Sequence, residues 1–585
     1  MQNPIDHLGQ KWAFRKISDK VGRHTIIAYR NQWIKGKGSR TAQRISVGRL
    51  HEDGSIGVVK GFLAYFPQYQ GMDLYWGENE LLSSEEFQNQ YVAPAPNPDI
   101  SWSNEAIHYA LPWTSLQIAK QSGILEDLKS VLGADLAQLL LNLAIYKLDT
   151  NQSMSLYEDW VVDHWLEESA PVNGRRISEA LASINEQMLE KYFALRHQRA
   201  KSRAKDKKAG LTLSFDSTAI STYSETILDA AYGHAKQNPE LKQVNLSMVC
   251  DHETGDVLFA NTYHGSVNDK TEFGYALSRM ISAGFDLSKN VLITDRGYQS
   301  IYNTALELKL DLKFIQGITL LEDCVKKAII RRQAQLNDFV RFNDPRLGVN
   351  SVSEDELWSV DGNNGRLTHK IKLHLYRDMA RSIDQIQAFK KEILDVIDQK
   401  NENKTIDPVV WKRVSRYVLQ SKSKWMINLE KFSQDCSFVG CFAIRSNCDL
   451  EATEVLRLYR QRNIIEQGFQ QLKNEVDGAR LYATESTYRG KLFVFILAQA
   501  IRMSMLSRIK NNVKENSGDG AQLQDFLKLP YESLPKLLAL IRQEMTIKHC
   551  STPAFTVKPI PKKKRDILAL LGVPLPPRVL YRFKC

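Results

Sequence analysis

Polar and apolar positions divide the chain into stretches of different period. Between residues 10 and 65, HTIIAYRNQW and TAQRISVGRL alternate, and IKGKGSR between them has the composition of a turn. Residues 1–65 are therefore predicted to hold a small antiparallel sheet. Residues 66–112, rich in Pro, Asn and Tyr, read as a linker, most loop-like at NPDISW. The period becomes helical across 113–208, in ILEDLKSVLGADLAQLLLNLAIYKL, SMSLYEDWVVDHWLEES and ISEALASINEQMLEKYFALRHQRA. This block is either a DNA-binding domain or a packed spacer, and its pattern does not decide.

At Leu211 the pattern changes again. LTLSFDST, QVNLSMVCD and DVLFANTYHG are three β-type runs. They are followed by the helix-like DKTEFGYALSRMISAG, the strand-like NVLITDRG, the helix-like YQSIYNTALELKL and the strand-like LKFIQGI. Three consecutive strands and then α/β alternation predict a ribonuclease-H-like core whose first part spans 209–318. Residues 319–450, with LWSVDG, RLTHKIKLHLYRD, KWMINLE and FVGCFAIRSN around one helix, read as a β-rich insertion domain. Residues 451–510 return to helix as the second part of the core, and RGKLFVFILAQAIRMSMLSRI within them is apolar enough to be buried. Residues 511–585 read as loop and short helix. The fold class expected is thus multidomain α/β: a split ribonuclease-H-like core, a β-rich insertion, a basic β-rich N-terminal domain and a helical block.

Composition narrows the picture. A chain of 585 residues should divide into about three or four domains. No run of about 18 apolar residues suggests a membrane span, and MQNPIDHLGQKW has no signal-peptide pattern. Seven scattered cysteines without a CxxC pair suit reduced thiols in a cytoplasm. The net charge of +11 is unevenly placed. Residues 10–49 hold eleven Lys and Arg against Asp19 alone, and RHQRAKSRAKDKK (196–208) holds seven against Asp206. Segregated positive charge points to a polyanion, most simply nucleic acid. Candidate contacts are Lys35, Lys37, Arg40 and Arg44, interleaved with Trp12, Tyr29 and Trp33, and Arg199, Lys201, Arg203 and Lys205 in the second run.

Three carboxylates stand out. Asp216 lies near the end of the first core strand and Asp295 at the end of the fourth, neighbours in such a core. Converging carboxylates repel unless a cation sits between them, and oxygen ligands suit Mg²⁺. In ATEVLRLYRQRNIIEQGFQQLKNEV, the residues Tyr459, Arg462, Glu466 and Lys473 fall within an arc of about 60° on a helix. Glu466 could then complete a three-carboxylate site, with the other three handling phosphate. His252 and His264 read as turn or packing residues, Asp269 as a helix cap, and PKKKR (561–565) as plain surface.

These residues resemble a known signature. The chain is similar to DDE-type insertion-sequence transposases of the cut-and-paste branch, with a β-rich insertion in a ribonuclease-H-like core. That signature is Asp in the first core strand, Asp-x-Gly-(Phe/Tyr) at the fourth, and Tyr-x2-Arg-x3-Glu-x6-Lys on a late helix. Here it reads Asp216; Asp295, Arg296, Gly297 and Tyr298; and Tyr459, Arg462, Glu466 and Lys473. HGSVNDKTEF fits the stretch before the first core helix, and the likeness covers about residues 211–505. GARLYATESTYRGKL departs from it, lacking the Arg-Pro and Gly-His that many relatives carry there. The resemblance implies that Asp216, Asp295 and Glu466 are catalytic and hold two Mg²⁺ ions, with Mn²⁺ as substitute. It implies cleavage at the element's terminal inverted repeats and strand transfer into target DNA, by a dimer that pairs two ends. Tyr459, Arg462 and Lys473 would grip phosphates. Relatives with the insertion often pass through a DNA hairpin and capture a flipped base on a Trp; Trp358 is the candidate, with Trp411 and Trp425 as rivals. A same-fold metal-dependent nuclease without strand transfer and a domesticated DNA-binding protein are the alternatives.

Overall fold

The computed structural model describes residues 5–515 and 541–582, apart from 20–22, 35–37, 52, 78, 85, 88–101, 169–171, 205–209, 234–238, 288–289, 363–364, 423, 475–479 and 550–553. The alternating N-terminal runs form a four-stranded antiparallel sheet in sequential order, β1 (Ala13–Ser18), β2 (His24–Ile34), β3 (Gly38–Leu50) and β4 (Ile56–Val58). Its apolar face, Trp12, Phe14, Ile26, Ala28 and Val47, buries Phe62 of the short helix Lys60–Tyr65 and Phe66 just after it.

The stretch expected to be a linker is partly structured. A hairpin of β5 (Leu74–Trp76) and β6 (Leu81–Ser83) adds Leu74 to the N-terminal core. Strand β7 (Trp102–His108) pairs with a strand more than 400 residues later. The β5–β6 pair is only three residues long per strand, and β7 finds its partner far along the chain, so neither stands out in the local pattern. Most of NPDISW lies outside the described residues.

The main sheet runs β10-β9-β8-β11-β12-β18-β15-β14-β13. Strands β8 (Thr212–Thr222), β9 (Lys242–Asp251) and β10 (Val257–His264) are antiparallel neighbours. Strand β11 (Val291–Thr294) lies parallel to β8, and β12 (Lys313–Ile318) parallel to β11. The long strands of 319–450 do not close a sheet of their own. Their hairpin of β14 (Val349–Gly362) and β15 (Gly365–Asp378), edged by the two-residue β13 (Asn343–Asp344), is joined to β12 through β18 (Cys441–Ser446), so the core sheet simply continues. The remainder of that stretch is a mainly helical lobe, with helix Met379–Asn401 packed on the ribbon β16 (Val418–Ser421) and β17 (Lys424–Ile427) around Ile393, Val414 and Phe432. A two-residue strand, β19 (Arg480–Leu481), pairs with the far end of β8.

The helical block and helix Tyr488–Glu515 share one core, in which Leu140, Leu141 and Tyr146 meet Leu492, Phe495 and Ile501. That long helix has the length and composition of a membrane span, yet 83% of its apolar window is buried inside the fold, as expected of a core helix. The C-terminal region, expected as loop and short helix, contributes β20 (Met545–His549), β21 (Ala554–Val557) and β22 (Val579–Tyr581), which form a sheet with β7. Lys564 of PKKKR pairs with Glu544.

Helix Ile301–Lys309 buries Glu307 completely, and neither carboxylate oxygen has a partner. Burial pushes its pKa up to about 8, although Arg445 pulls it part of the way back. In the unfolded chain the same carboxyl titrates near about 4.3. The neutral carboxyl therefore contributes stability that is complete below about pH 4 and is lost as pH rises toward about 8. Glu307→Gln should match wild type near about pH 4 and melt at a higher temperature near about pH 9. Thermal melts across that range check this, and parallel curves for the two proteins contradict it.

Candidate active site

Register brings two carboxylates together. Strand β11 pairs with β8 as far as Thr294 opposite Phe215, so Asp295 and Asp216 are the next residues of two adjacent parallel strands. Both stand one step past the β8–β11 pairing, Asp295 beyond the end of β11 and Asp216 in the middle of β8, not near its end as expected, still paired with Met248 of β9. Among the described residues, β19 joins β8 only at Ser221 and Thr222, and no strand pairs with β8 on that side from Asp216 to Ile220. Asp216 accepts from the backbone N–H of Ser217 at 2.8 Å. The buried Tyr298 hydroxyl lies 2.6 Å from Ser217 Oγ and 3.4 Å from Asp216 Oδ1, which ties the Asp-x-Gly-Tyr turn back to β8.

The third carboxylate comes from the late helix, which is broken where one continuous helix is expected. It runs as Ala452–Gln461 and Asn463–Asn474, with Arg462 at the break. There the backbone switches to tighter pairing, Arg462 N–H to Tyr459 C=O at 3.1 Å and Ile465 N–H to Arg462 C=O at 3.0 Å. The guanidinium, with only 10% of the side chain exposed, lies 3.2 Å from Asp216 and 3.8 Å from Asp295, and pairs directly with Glu466. Tyr459 donates to Asp295 at 3.1 Å. That approach requires Gly317 on β12, because a Cβ there would collide with the Tyr459 hydroxyl and stand 3.0 Å from the Arg296 nitrogen. Sequence reasoning missed Gly317; an isolated glycine inside a strand run was the available signal.

Electrostatics follow from this packing. Burial pushes Asp216 up to about 6, Arg462 opposes the shift, and Asp295 and Glu466 reinforce it. Burial works against the charge of Arg462, but Asp295, Asp216 and Glu466 together hold its pKa above the ordinary value. Burial raises the Tyr459 hydroxyl, and Asp295 beside it adds to the shift.

Among the described residues no group of three His, Cys, Asp or Glu is gathered tightly enough to hold a metal ion. At Asp216, Asp295 and Glu466 the guanidinium is the shared cation. The donor set still fits a hard divalent ion: every donor is a carboxylate oxygen, and three negative charges face one positive charge. The Arg462 Nε is buried without a hydrogen-bond partner, so the guanidinium is not fully satisfied in this position.

The remaining candidates are dispersed. Lys473 is half-buried on the same helix, nearly two turns beyond Glu466. Trp358, on β14, is half-buried with Arg445 5.0 Å above its ring, and lines a pocket of about 700 Å³ with Glu322, Glu356 and Arg445. Trp411 and Trp425 meet edge to face in the helical lobe beneath Lys400. Arg40 and Arg44 are exposed on β3, near Trp33, which is 74% exposed; Lys35, Lys37 and Lys205 lie outside the described residues.

In the second basic run the arginines meet carboxylates across the fold: Arg196, 1% exposed, joins Asp127 to Asp256, Arg199 holds Asp127 and Glu126, and Arg203, with 43% of its side chain exposed, reaches Asp256. Lys201 pairs with Asp286. Charge counted along the sequence could not show that these acids lie across the fold. Of the residues singled out as packing, His252 is buried between β8 and the broken helix, bonded to Ser214 and Gln461. Asp269 accepts from the Tyr263 hydroxyl, and Asn268, one residue earlier, caps the helix.

No curated protein matches the chain. Among solved structures it is similar to a piggyBac transposase synaptic complex with hairpin DNA, at 10% identity over 73% of this chain and 76% of that one, with a TM-score of 0.30; a likeness at that level carries no argument. The family model of the transposase DDE domain matches residues 207–487. The match begins just before β8, takes in Asp216, Asp295 and Glu466, and identifies this part of the chain as a transposase DDE domain.

Proposed function

We propose that the chain cleaves DNA at the ends of an insertion sequence and joins those ends to target DNA, with Asp216, Asp295 and Glu466 as the catalytic carboxylates. The observation that carries this reading is their convergence on one guanidinium, from two adjacent parallel strands and one helix. The order of β8 to β12 supports a ribonuclease-H-like core. DDE transposases generally depend on divalent metal, and these three residues would hold two Mg²⁺ ions, with Mn²⁺ able to substitute. When bound, the ions supply Lewis acidity and charge neutralisation for an in-line displacement at phosphorus.

The chain's own residues prepare that site. Tyr459 fixes the Asp295 carboxylate by hydrogen bonding. Arg462 keeps three like charges together and then offers a planar, bidentate donor to a DNA phosphate. Lys473 adds a point charge further along the helix. The basic N-terminal sheet, with Arg40 and Arg44 exposed, grips the duplex, Lys35 and Lys37 extend the same stretch of sequence, and a homodimer pairs the two ends. Trp358, stacked beside Arg445 in its pocket, is the residue for a displaced base.

Glu466→Gln keeps the size of the side chain and removes its charge. It should abolish cleavage of a labelled duplex carrying the inverted repeat that bounds the gene, while binding of that duplex is retained. Full cleavage by this variant sinks the assignment, and cutting without joining by wild type favours the nuclease alternative.

Gly317→Ala should displace the Tyr459 hydroxyl from Asp295 and slow cleavage by up to about 100-fold. Adding Tyr459→Phe to that variant should cost nothing further. Cleavage rates compared across the single and double variants decide it, and an unchanged rate in Gly317→Ala shows that Tyr459 does not position Asp295.

A further inference from the structure

The turn Asp251–Asp256 between β9 and β10 is held from every side. Its Asp251 carboxylate accepts from the Glu253 N–H at 3.0 Å and the Thr254 hydroxyl at 2.9 Å. Arg196 and Arg203 clamp Asp256. Gly255 adopts φ +72°, and a Cβ there would lie 2.7 Å from Met503 of helix Tyr488–Glu515 and 3.2 Å from Ile464 of the broken helix, so the turn packs against both. Backbone pairing completes the anchoring, with Asp251 N–H to Asp256 C=O and His252 N–H to Thr212 C=O, both at 2.9 Å. The His252 side chain is therefore not needed to hold the turn.

That side chain reaches outward instead. His252, 8% exposed, meets Ser214 Oγ through Nδ1 at 3.0 Å and Gln461 Oε1 through Nε2 at 2.9 Å. A carbonyl oxygen can only accept, so Nε2 carries the proton and Nδ1 accepts from the Ser214 hydroxyl. Ser214 stands two residues before Asp216 on β8, and Gln461 immediately precedes Arg462. One imidazole thus spans the strand that carries the first carboxylate and the helix break that carries the guanidinium.

We propose that His252 is a positioning residue. The Ser214–His252–Gln461 bridge sets the separation of β8 from the helix break, and through it the placement of Arg462 and Glu466 against Asp216 and Asp295. This inference rests on the proposed cleavage function. It predicts that losing the bridge loosens the carboxylate cluster while the fold persists.

The test uses the full chain with two readouts: single-turnover cleavage of the labelled terminal-repeat duplex, and Mn²⁺ binding followed by electron paramagnetic resonance. His252→Ala and Gln461→Ala should each slow cleavage and weaken Mn²⁺ binding, by about 10- to 100-fold. The double variant should be no worse than either single one, because both remove the same bridge. His252→Gln, which can still present a donor to Gln461, should recover most of the rate, whereas His252→Asn, too short to reach Gln461, should not. Wild-type rates in His252→Ala, or multiplying losses in the double variant, overturn the proposal. Should His252→Ala fail to fold, the exposed Gln461→Ala decides alone: a wild-type rate and Mn²⁺ affinity there overturn the bridge. Wild-type protein that binds Mn²⁺ but cuts no DNA overturns the proposed function instead, and Mn²⁺ affinities across the variants still test the bridge.

Discussion

Three carboxylates share one guanidinium, and the rest of the catalytic domain is arranged around that contact. Asp216, Asp295 and Glu466 repel one another, and the repulsion grows as burial removes water. Arg462 meets all three from a helix that breaks at that residue. The break turns the guanidinium toward the sheet, Gly317 clears room for Tyr459, and Tyr298 ties the turn after Asp295 to β8. Burial is the main cause of the Asp216 pKa being raised to about 6, with Arg462 pulling it back, and three carboxylates still face a single guanidinium there. A site left with excess negative charge is suited to further cations, which is the electrostatic requirement of metal-dependent phosphoryl transfer.

The same logic explains the second basic run. Arg196 and Arg203 join the helical block to the turn after β9, through Asp127 and Asp256. Breaking a buried pair of this kind leaves an uncompensated charge, at a cost of about 3–5 kcal/mol. These ion pairs fix the turn against which the broken helix rests. The N-terminal sheet keeps Arg40 and Arg44 in solvent, whereas in the run at 196–203 Arg196 is buried in ion pairs and Lys201 and Arg203 pair with acids at the surface.

The parts of the site that were legible in the sequence are those with local signals. Asp216 and Asp295 each close a short apolar strand run, and Tyr459, Arg462 and Glu466 recur at helical spacing. What stayed hidden depends on partners distant in sequence. Strands β14, β15 and β18 extend the core sheet, a choice that alternation within 319–450 cannot reveal, so that stretch reads as a separate β-rich domain. Strand β7 has no recognisable pattern because its partner is β20, and the linker reading failed for that reason. His252 lies in a turn that reads as ordinary, and only the fold sets it between Ser214 and Gln461.

The central claim is that Asp216, Asp295 and Glu466 form one cation site that Arg462 fills in their mutual company. Anomalous scattering from crystals of the protein grown with Mn²⁺ tests it most directly. The account predicts anomalous peaks bounded by these three carboxylates, with the Arg462 guanidinium moved away from at least one of them. A map with no peak there, or with Mn²⁺ only at other carboxylates, contradicts it.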